Sequence, residues 1–418
     1  MNKVIFHNLS IPYSHPLIGM YDFDKNGIFY ATPGDIVVTR SKISKAYLDF
    51  LESCGYDFDN VRFVSSDKEL ENTHNSPFEN NNFLKQIKKS IDNPKDYVFD
   101  SFIFSKLELE LVNQLGVVSL ENANQFQNFS TKSFFRATAK QLKIPIPRGF
   151  VAVTTTHDAF IKICYLFLTG FKNVVSKYDN GSAGIGTRLY RSRNFLSELN
   201  ILESYFKKDN NTLLGFADLE ERSFVIEGWY DNAAYSPSVQ FFIDAKGGVS
   251  VVSVHNQVFY DNKIRYRGCC SKQAVPTVVI NKLVEQGTKF VNYLSSQGYR
   301  GHLGFNSIVL TNGDLLWVEL NPRRVMSSYV YQMSRVIYQS EAASIYYKSL
   351  QVSKEKWVGK EIDEILIELS NVLFSKNRQN GVIPFNYGLL QTEGILSVAV
   401  FSTTEGDADK MIKYVESL

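Results

Sequence analysis

The sequence predicts an α/β chain with more than one core, and three observations carry that expectation. At 418 residues the chain is long enough for two to four domains of ordinary size. Apolar residues make up 44% and aromatic residues 14%, the composition of a packed globular protein. Short apolar runs alternate with helical stretches in the first part, whereas strand-like runs follow one another in the middle.

Residues 1–125 hold the strand candidates "DIVVT", "VRFVS", "YVFDSFIFS" and "GVVSL", together with the helical stretch "SKAYLDFLESCGY". That alternation predicts an α/β layer domain. Within it "ENTHNSPFENNNF" is polar, contains a proline and is expected to be a loop. A helix is expected from about Ser130 to Leu142, with Thr131 or Ser130 as its cap and "IPIPRG" as its stop. After Pro147 come the strand candidates "GFVAV", "NVVSKY", "RSFVIEGWY", "PSVQFFID" and "VSVVSVHNQVFY". A helix from about Val278 to Gly298 separates these from "GHLGFNSIVLTNGDLLWVELNPRR". The chain then turns helical after Arg324 and finishes with a strand, a turn and an amphipathic helix. It shows no internal repeat and no low-complexity tract.

Composition also excludes partners. Forty-five Lys and Arg against 43 Asp and Glu create no polyanion-binding field, so neither nucleic acid nor a membrane is expected. Cys54, Cys164, Cys269 and Cys270 have no metal spacing and suit free thiols in a reducing cytoplasm. The opening "MNKVIFHNLSIPYSH" lacks the apolar core of a secretory signal, and the most apolar window, Ile161 to Phe171, is far below the ~20 residues that span a bilayer. A cytoplasmic protein is expected, and a homo-oligomer is compatible with the sequence.

Two stretches carry chemistry. In "VVSKYDNGSAGIGTRLY", Lys177 ends an apolar run and Gly181, Gly184 and Gly186 follow. Glycines let backbone N–H groups approach an anion closely. The loop does not fit the Walker pattern, because Thr187-Arg188 follows Gly186 and the lysine precedes the glycines; the dinucleotide fingerprint fails as well. A bare hairpin tip and a phosphate cradle both remain open. The second stretch, "GFNSIVLTNGDLLWVELNPRR", has Asn312-Gly313 between two apolar runs, the signal for a two-residue hairpin turn. Such a turn would face Leu310 with Leu315 and, counting outward, Asn306 with Glu319. Asn321 then shares their face, while Phe305, Val309, Leu316, Val318 and Leu320 form the core side. Three oxygen-bearing side chains at one hairpin end suit Mg²⁺ or an ordinary solvated strand end, and Arg323 and Arg324 beside them suit a phosphate or carboxylate.

A lysine-bearing strand before a glycine loop, the strand end "VIEGWY" and the hairpin end "ELNPR" occur in the order of the ATP-grasp enzymes, which Asn124 to Arg324 resembles. The resemblance implies ATP bound by Lys132 and Lys177, by the loop residues Gly181, Ser182, Ala183, Gly184 and Gly186, and by the hinge Glu227, Gly228, Trp229 and Tyr230, with Asp231 near the ribose. It implies Mg²⁺ at Glu319 and Asn321, with Asn306 where the family commonly has Asp. Arg323 matches a cation near the transferred group. The flanks "ATPGDIVVTR", "HNQVFYDNKIRYRG" and "GVIPFNYGLL" are similar to the pheganomycin peptide ligase and its relatives. The implied organisation is a pre-ATP-grasp α/β domain over 1–125, an ATP-grasp region over 126–330 and a small C-terminal α+β domain over 331–418.

What the resemblance implies is an ATP-dependent ligase that joins the carboxylate of an amino acid or peptide to an amine through an acyl phosphate. Lys263, Arg265 and Arg267 would bind the acceptor carboxylate or the oxyanion, or else form a solvated edge. His255 is either a base toward the amine or a structural residue. A phosphotransferase on the same fold and a non-catalytic nucleotide-binding module are the alternatives, and Asn306 favours the latter.

Overall fold

Four short, mostly apolar runs pair side by side in one direction to open the structure. In this computed structural model, which describes residues 1–9, 20–66, 81–180, 187–194, 223–260, 264–339 and 345–418, they are β1 (Asn2–Phe6), β2 (Ile36–Thr39), β3 (Arg62–Ser65) and β4 (Tyr97–Ser101). Their order is β3-β2-β1-β4, parallel throughout. A parallel sheet is covered on both faces, which is why β2 is buried along its whole length. Helix α1 (Lys45–Cys54) starts at the Ser44 cap and lays Tyr47, Leu51 and Cys54 inward at helical spacing. Helices α2 (Asn81–Lys89) and α3 (Lys106–Leu115) complete the layer. The polar stretch expected as a loop therefore ends in the first turn of α2, and its residues 71–80 lie outside the described residues. "GVVSL" contributes only a bridge from Val118 to Val98 rather than a strand.

Helices α4 (Ala123–Phe129) and α5 (Lys132–Gln141) lead to a second sheet. It comprises β5 (Gly149–Val153), β6 (Asn173–Tyr178), β7 (Thr187–Arg191) and β8 (Phe224–Gly228), in the order β5-β8-β6-β7 and antiparallel. The most apolar window of the sequence belongs to α6 (Thr156–Leu168), whose Ala159, Ile163 and Leu166 pack on Val174, Tyr190 and Ile226 of this sheet.

The third sheet has nine strands among the described residues: β9 (Ala233–Tyr235), β10 (Pro237–Ile243), β11 (Val249–Phe259), β12 (Tyr266–Ser271), β13 (Gly301–Leu310), β14 (Leu315–Asn321), β15 (Tyr346–Ser353), β16 (Gly381–Leu389) and β17 (Ile395–Ser402). The order is β14-β13-β10-β11-β12-β15-β17-β16, with β9 on β13. Helix α7 (Thr277–Ser296) buries Leu283, Phe290 and Leu294 against Phe241, Phe305 and Trp317. Helix α8 (Met326–Tyr338) follows the hairpin, and α9 (Ile362–Glu368) and α10 (Glu405–Ser417) accompany the last strands. Among the described residues no helix is long and apolar enough to cross a membrane.

The expected boundary at residue 330 does not divide cores. β15 pairs with β12, so the sheet runs on through it. One core cluster joins Val37 and Tyr47 of the first sheet's layer to Met333, Leu350 and Val398. Ser44 hydrogen-bonds Asp363 across the same contact.

The β12–β15 junction is close because Gly268 sits opposite Leu350, where a Cβ would run into the carbonyl oxygen of Ser349. Gly268→Ala is expected to destabilise the fold by about 1–3 kcal/mol through overpacking. Denaturant unfolding measures this, and an unchanged midpoint would contradict so tight a junction.

Candidate active site

The hairpin of β13 and β14 places one face of the site, by a route the sequence does not display. Gly313, at φ 86°, allows a tight turn in which its N–H donates to Leu310 O (2.8 Å) and Leu310 N–H donates to Asp314 O (2.8 Å). Pairing then starts at Val309–Leu315 and not at Leu310–Leu315, one residue away from the two-residue-loop register. A register shift between Asn306 and Ser307 leaves Val318 as an extra residue and restores Asn306 opposite Glu319. The extra residue also changes faces. Leu315, Trp317 and Leu320 are the core side of β14, while Leu316 is only half-buried and Val318 lines the cleft beside Glu319.

At the open end of the hairpin the polar groups are bonded to one another. Asn306 Nδ2 donates to Glu319 Oε1 at 2.7 Å, and Asn321 Nδ2 approaches the same oxygen at 3.5 Å. Arg323 Nη2 donates to Asn321 Oδ1 at 3.0 Å and its Nη1 to the Arg324 carbonyl at 2.8 Å. Lys132 Nζ stands 3.8 Å from Glu319 Oε2. Thr131 caps α5 just before that lysine, and Lys132 N–H donates to Asp179 O at 3.0 Å, tying the start of α5 to the end of β6. Burial draws the Lys132 ammonium below its usual pKa, against the opposing pull of Glu319.

Glu227 in β8 organises the other wall. It is buried, accepts from Lys177 Nζ at 2.6 Å and pairs through its second oxygen with Arg136 of α5. Burial pushes its carboxyl upward, but Lys177 and Arg136 more than offset this and hold it below the usual carboxylate range. Arg136 Nη2 also donates to Pro147 O at 2.8 Å. The next residues form a turn fastened at its base: Gly228 N–H donates to Arg148 O, Trp229 N–H to Asn173 O, and Asn173 Nδ2 to Asp231 Oδ2 at 2.8 Å. Tyr230 Oη accepts from Arg148 N–H at 3.3 Å. The glycine loop, with Gly181, Ser182, Ala183, Gly184 and Gly186, lies outside the described residues, as does Lys263. The strands beside the loop form a hairpin in which Lys177 faces Thr187.

Lys132, Lys177, the 227–231 turn and the Asn306, Glu319, Asn321 and Arg323 side chains all line one cleft of about 750 Å³. Arg265 and Arg267 do not line it. Ile264 and Tyr266 line the cleft, while Arg265 and Arg267 stack on Tyr260 (5.5 and 5.4 Å) and Arg267 pairs with Glu416 of α10. Tyr260 itself lines the cleft, so the two arginines stand behind that ring. Arg324 is also committed elsewhere, buried against Asp100 at 2.6 Å. Ser238, absent from the sequence reading, faces Asn306 across β10–β13, lines the cleft and is 3% exposed. Its hydroxyl has no partner among the described residues. Only the non-local pairing of β10 with β13 reveals it. No three His, Cys, Asp or Glu side chains gather as a metal cluster among the described residues.

No family model matches the chain. It is 28% identical over 167 residues to the [butirosin acyl-carrier protein]–L-glutamate ligase of Niallia circulans, a match that takes in 40% of this chain and 36% of that protein. The chain thus matches about a third of that relative's length. Among solved structures, biotin carboxylase from Campylobacter jejuni in a β,γ-ATP complex superposes with a TM-score of 0.60 at 13% identity, covering 95% of this chain and 88% of that one. N5-carboxyaminoimidazole ribonucleotide synthetase from Thermus thermophilus superposes at 0.57 and 12% identity, covering 100% and 98%. Carboxyaminoimidazole ribonucleotide synthase from Aspergillus clavatus, complexed with ATP, superposes at 0.58 and 14%, covering 91% and 96%. The chain has the ATP-grasp fold of these enzymes.

His255 is fully buried between Ser253 Oγ (2.8 Å) and Tyr347 Oη (3.0 Å), a structural placement away from the cleft lining, and burial lowers its pKa to about 3. A histidine depressed in the folded state stabilises the fold above its unfolded pKa of 6.5 and loses that contribution as pH falls toward about 3. Unfolding midpoints measured across this window are therefore expected to drop with pH, and less steeply in His255→Gln. An equal slope in both proteins would contradict the assignment.

Proposed function

We propose that this ATP-grasp chain is an ATP-dependent ligase that joins a carboxylate to an amine through an acyl phosphate, releasing ADP and phosphate. The observation that carries the reading is the convergence of two lysines, a carboxylate–amide trio and an arginine on one cleft beside the 227–231 turn. Lys132 and Lys177 would take phosphate oxygens, contacts each worth about 1.5–3 kcal/mol when charge-assisted. Gly228 and Tyr230 would present backbone groups to the adenine edge. The region 126–330 would bind the nucleotide and carry the chemistry, with 1–125 and 331–418 as flanking segments that share one core.

The donors at the hairpin end fit Mg²⁺, which accepts a single carboxylate and keeps waters and phosphate oxygens as its other ligands. Glu319, Asn321 and Asn306 would hold it. It would supply positive charge toward the transferring phosphoryl group. With Asn306 in place of an acid, Glu319 is the one carboxylate of the trio, so the lysines and Arg323 carry more of the neutralisation.

In the proposed reaction a substrate carboxylate oxygen attacks the γ-phosphorus and ADP departs. The amine nitrogen then attacks the acyl carbon, and the C–O bond breaks to expel phosphate as the nitrogen loses its proton. Arg323 would stabilise the oxyanion, and Ser238 offers a hydroxyl in the row of Asn306 and Glu319. The substrates fall in the amino-acid or peptide class, with the glutamate named for the curated relative as support for an amino acid. The four free cysteines fit a cytoplasmic setting. A kinase that stops at a phosphorylated substrate is the second reading; Asn306, which leaves Glu319 alone, favours the further alternative of a non-catalytic nucleotide-binding module.

The test is nucleotide chromatography beside a hydroxamate assay with a panel of amino acids and short peptides. ADP, phosphate and, with hydroxylamine as the amine, a hydroxamate of the true carboxylate are expected, and Glu319→Gln should abolish all three with unfolding unchanged. AMP formation would overturn the phosphate assignment. A stable phosphorylated product in the presence of amine would favour the kinase.

A further inference from the structure

A parallel α/β sheet opens a crevice at the carboxyl ends of its strands where the strand order reverses. In the first sheet that point lies between β1 and β4, with His7 just past β1 and Asp100 and Ser101 ending β4. This position is filled from within the chain. Arg324 Nη2 donates to Asp100 Oδ1 at 2.6 Å, its Nε to Ser101 O at 3.3 Å and its backbone N–H to Phe102 O at 3.2 Å. The guanidinium lies 4.1 Å from the Tyr30 ring centre. His7 Nε2 stands 3.5 Å from Asp100 Oδ1, and its Nδ1 meets Tyr329 Oη at 2.9 Å. Burial pushes the Asp100 carboxyl up, but Arg324 and His7 more than offset that and hold it well below the usual carboxylate range. The pair is therefore ionised, and both partners are nearly inaccessible, at 11% and 7% side-chain exposure.

Arg324 follows Arg323 directly, and the carbonyl of Arg324 accepts from Arg323 Nη1. Arg323 also holds Asn321 and lies over the ring of Phe102, 5.3 Å from its centre. Thus both supports of Arg323 on that side, a carbonyl and a ring, are fixed by the segment that leaves β4. We propose that Asp100, acting through Arg324, is a positioning residue for Arg323, so that the N-terminal sheet sets the geometry of the cation at the ligase site. The inference rests on the ligase reading for the role of Arg323. The ligase reading gives ATP mainly to Lys132, Lys177 and the 227–231 turn, on α5, β6 and the end of β8, so loss of the tie is expected to act on turnover more than on nucleotide binding.

Asp100→Asn keeps the side-chain shape and removes the charge. It is expected to lower kcat by roughly 100-fold, the scale of a misplacement of about 1 Å, while the KM for ATP stays within about twofold. Because a lone buried Arg324 destabilises the fold, the paired variant Asp100→Leu with Arg324→Met accompanies it. Replacing a buried ion pair by apolar side chains restores stability in many proteins. The unfolding midpoint is therefore expected to recover in the paired variant while kcat stays low. Recovery of kcat together with stability would overturn the proposal and leave the pair a structural one. Hydrogen exchange over residues 321–324 gives a readout that needs no turnover: faster exchange in Asp100→Asn supports the tie, and unchanged exchange overturns it. If the unaltered protein turns over no carboxylate–amine pair, the ligase reading falls while the exchange result still decides whether Asp100 orders the segment.

Discussion

The carboxylate of Glu227 is the anion on which the rest of the cleft depends. Lys177, Arg136 and Lys132 are drawn into one partly dry space, where like charges repel far more than in water. Glu227 pairs with two of them at once, each from a different element: Lys177 from β6 and Arg136 from α5. The second sheet is thereby bound to the helix whose first residue is Lys132, and the spacing of Lys132 and Lys177 follows from that bond. Removing one partner from a buried set of this kind costs about 3–5 kcal/mol, because a charge is left behind without water.

The other wall depends on backbone geometry. Glu319 stands across from Asn306 only because the displaced turn is offset by the extra residue at Val318. The same bulge lifts Val318 out of the core and places it on the cleft floor, next to the carboxylate. Two amides then flank Glu319, so the hairpin end concentrates one negative charge instead of two or three. That economy of charge matches the weight that Lys132 and Arg323 carry in the same space.

How far the sequence could be read follows from the range of each interaction. Local signals were legible: the Thr131 cap of α5, the helical stretch "SKAYLDFLESCGY", and the apolar runs of β6, β8 and β10 all lie where their patterns placed them. The Asn306–Glu319 pairing came out as expected although the register near the turn did not, since an extra residue on β13 at Leu310 and an extra residue on β14 at Val318 cancel. Non-local facts were not legible. Nothing in "DNKIRYRG" says that Arg267 meets Glu416, some 150 residues later. Nor does a local pattern show that β12 and β15 join the final strands to the central sheet, or that Ser238 faces Asn306. Those contacts arise from strand order, which single-strand periodicity does not encode.

The central claim is that the carboxylate substrate itself takes up the γ-phosphoryl group. Isotope transfer measures this directly: the reaction is run with the substrate carboxylate labelled with ¹⁸O, and the released phosphate is analysed by mass spectrometry. Attack by the carboxylate followed by displacement at the acyl carbon delivers one labelled oxygen to phosphate for each amide formed, and that is the result predicted. Unlabelled phosphate, or label recovered in AMP, would contradict it.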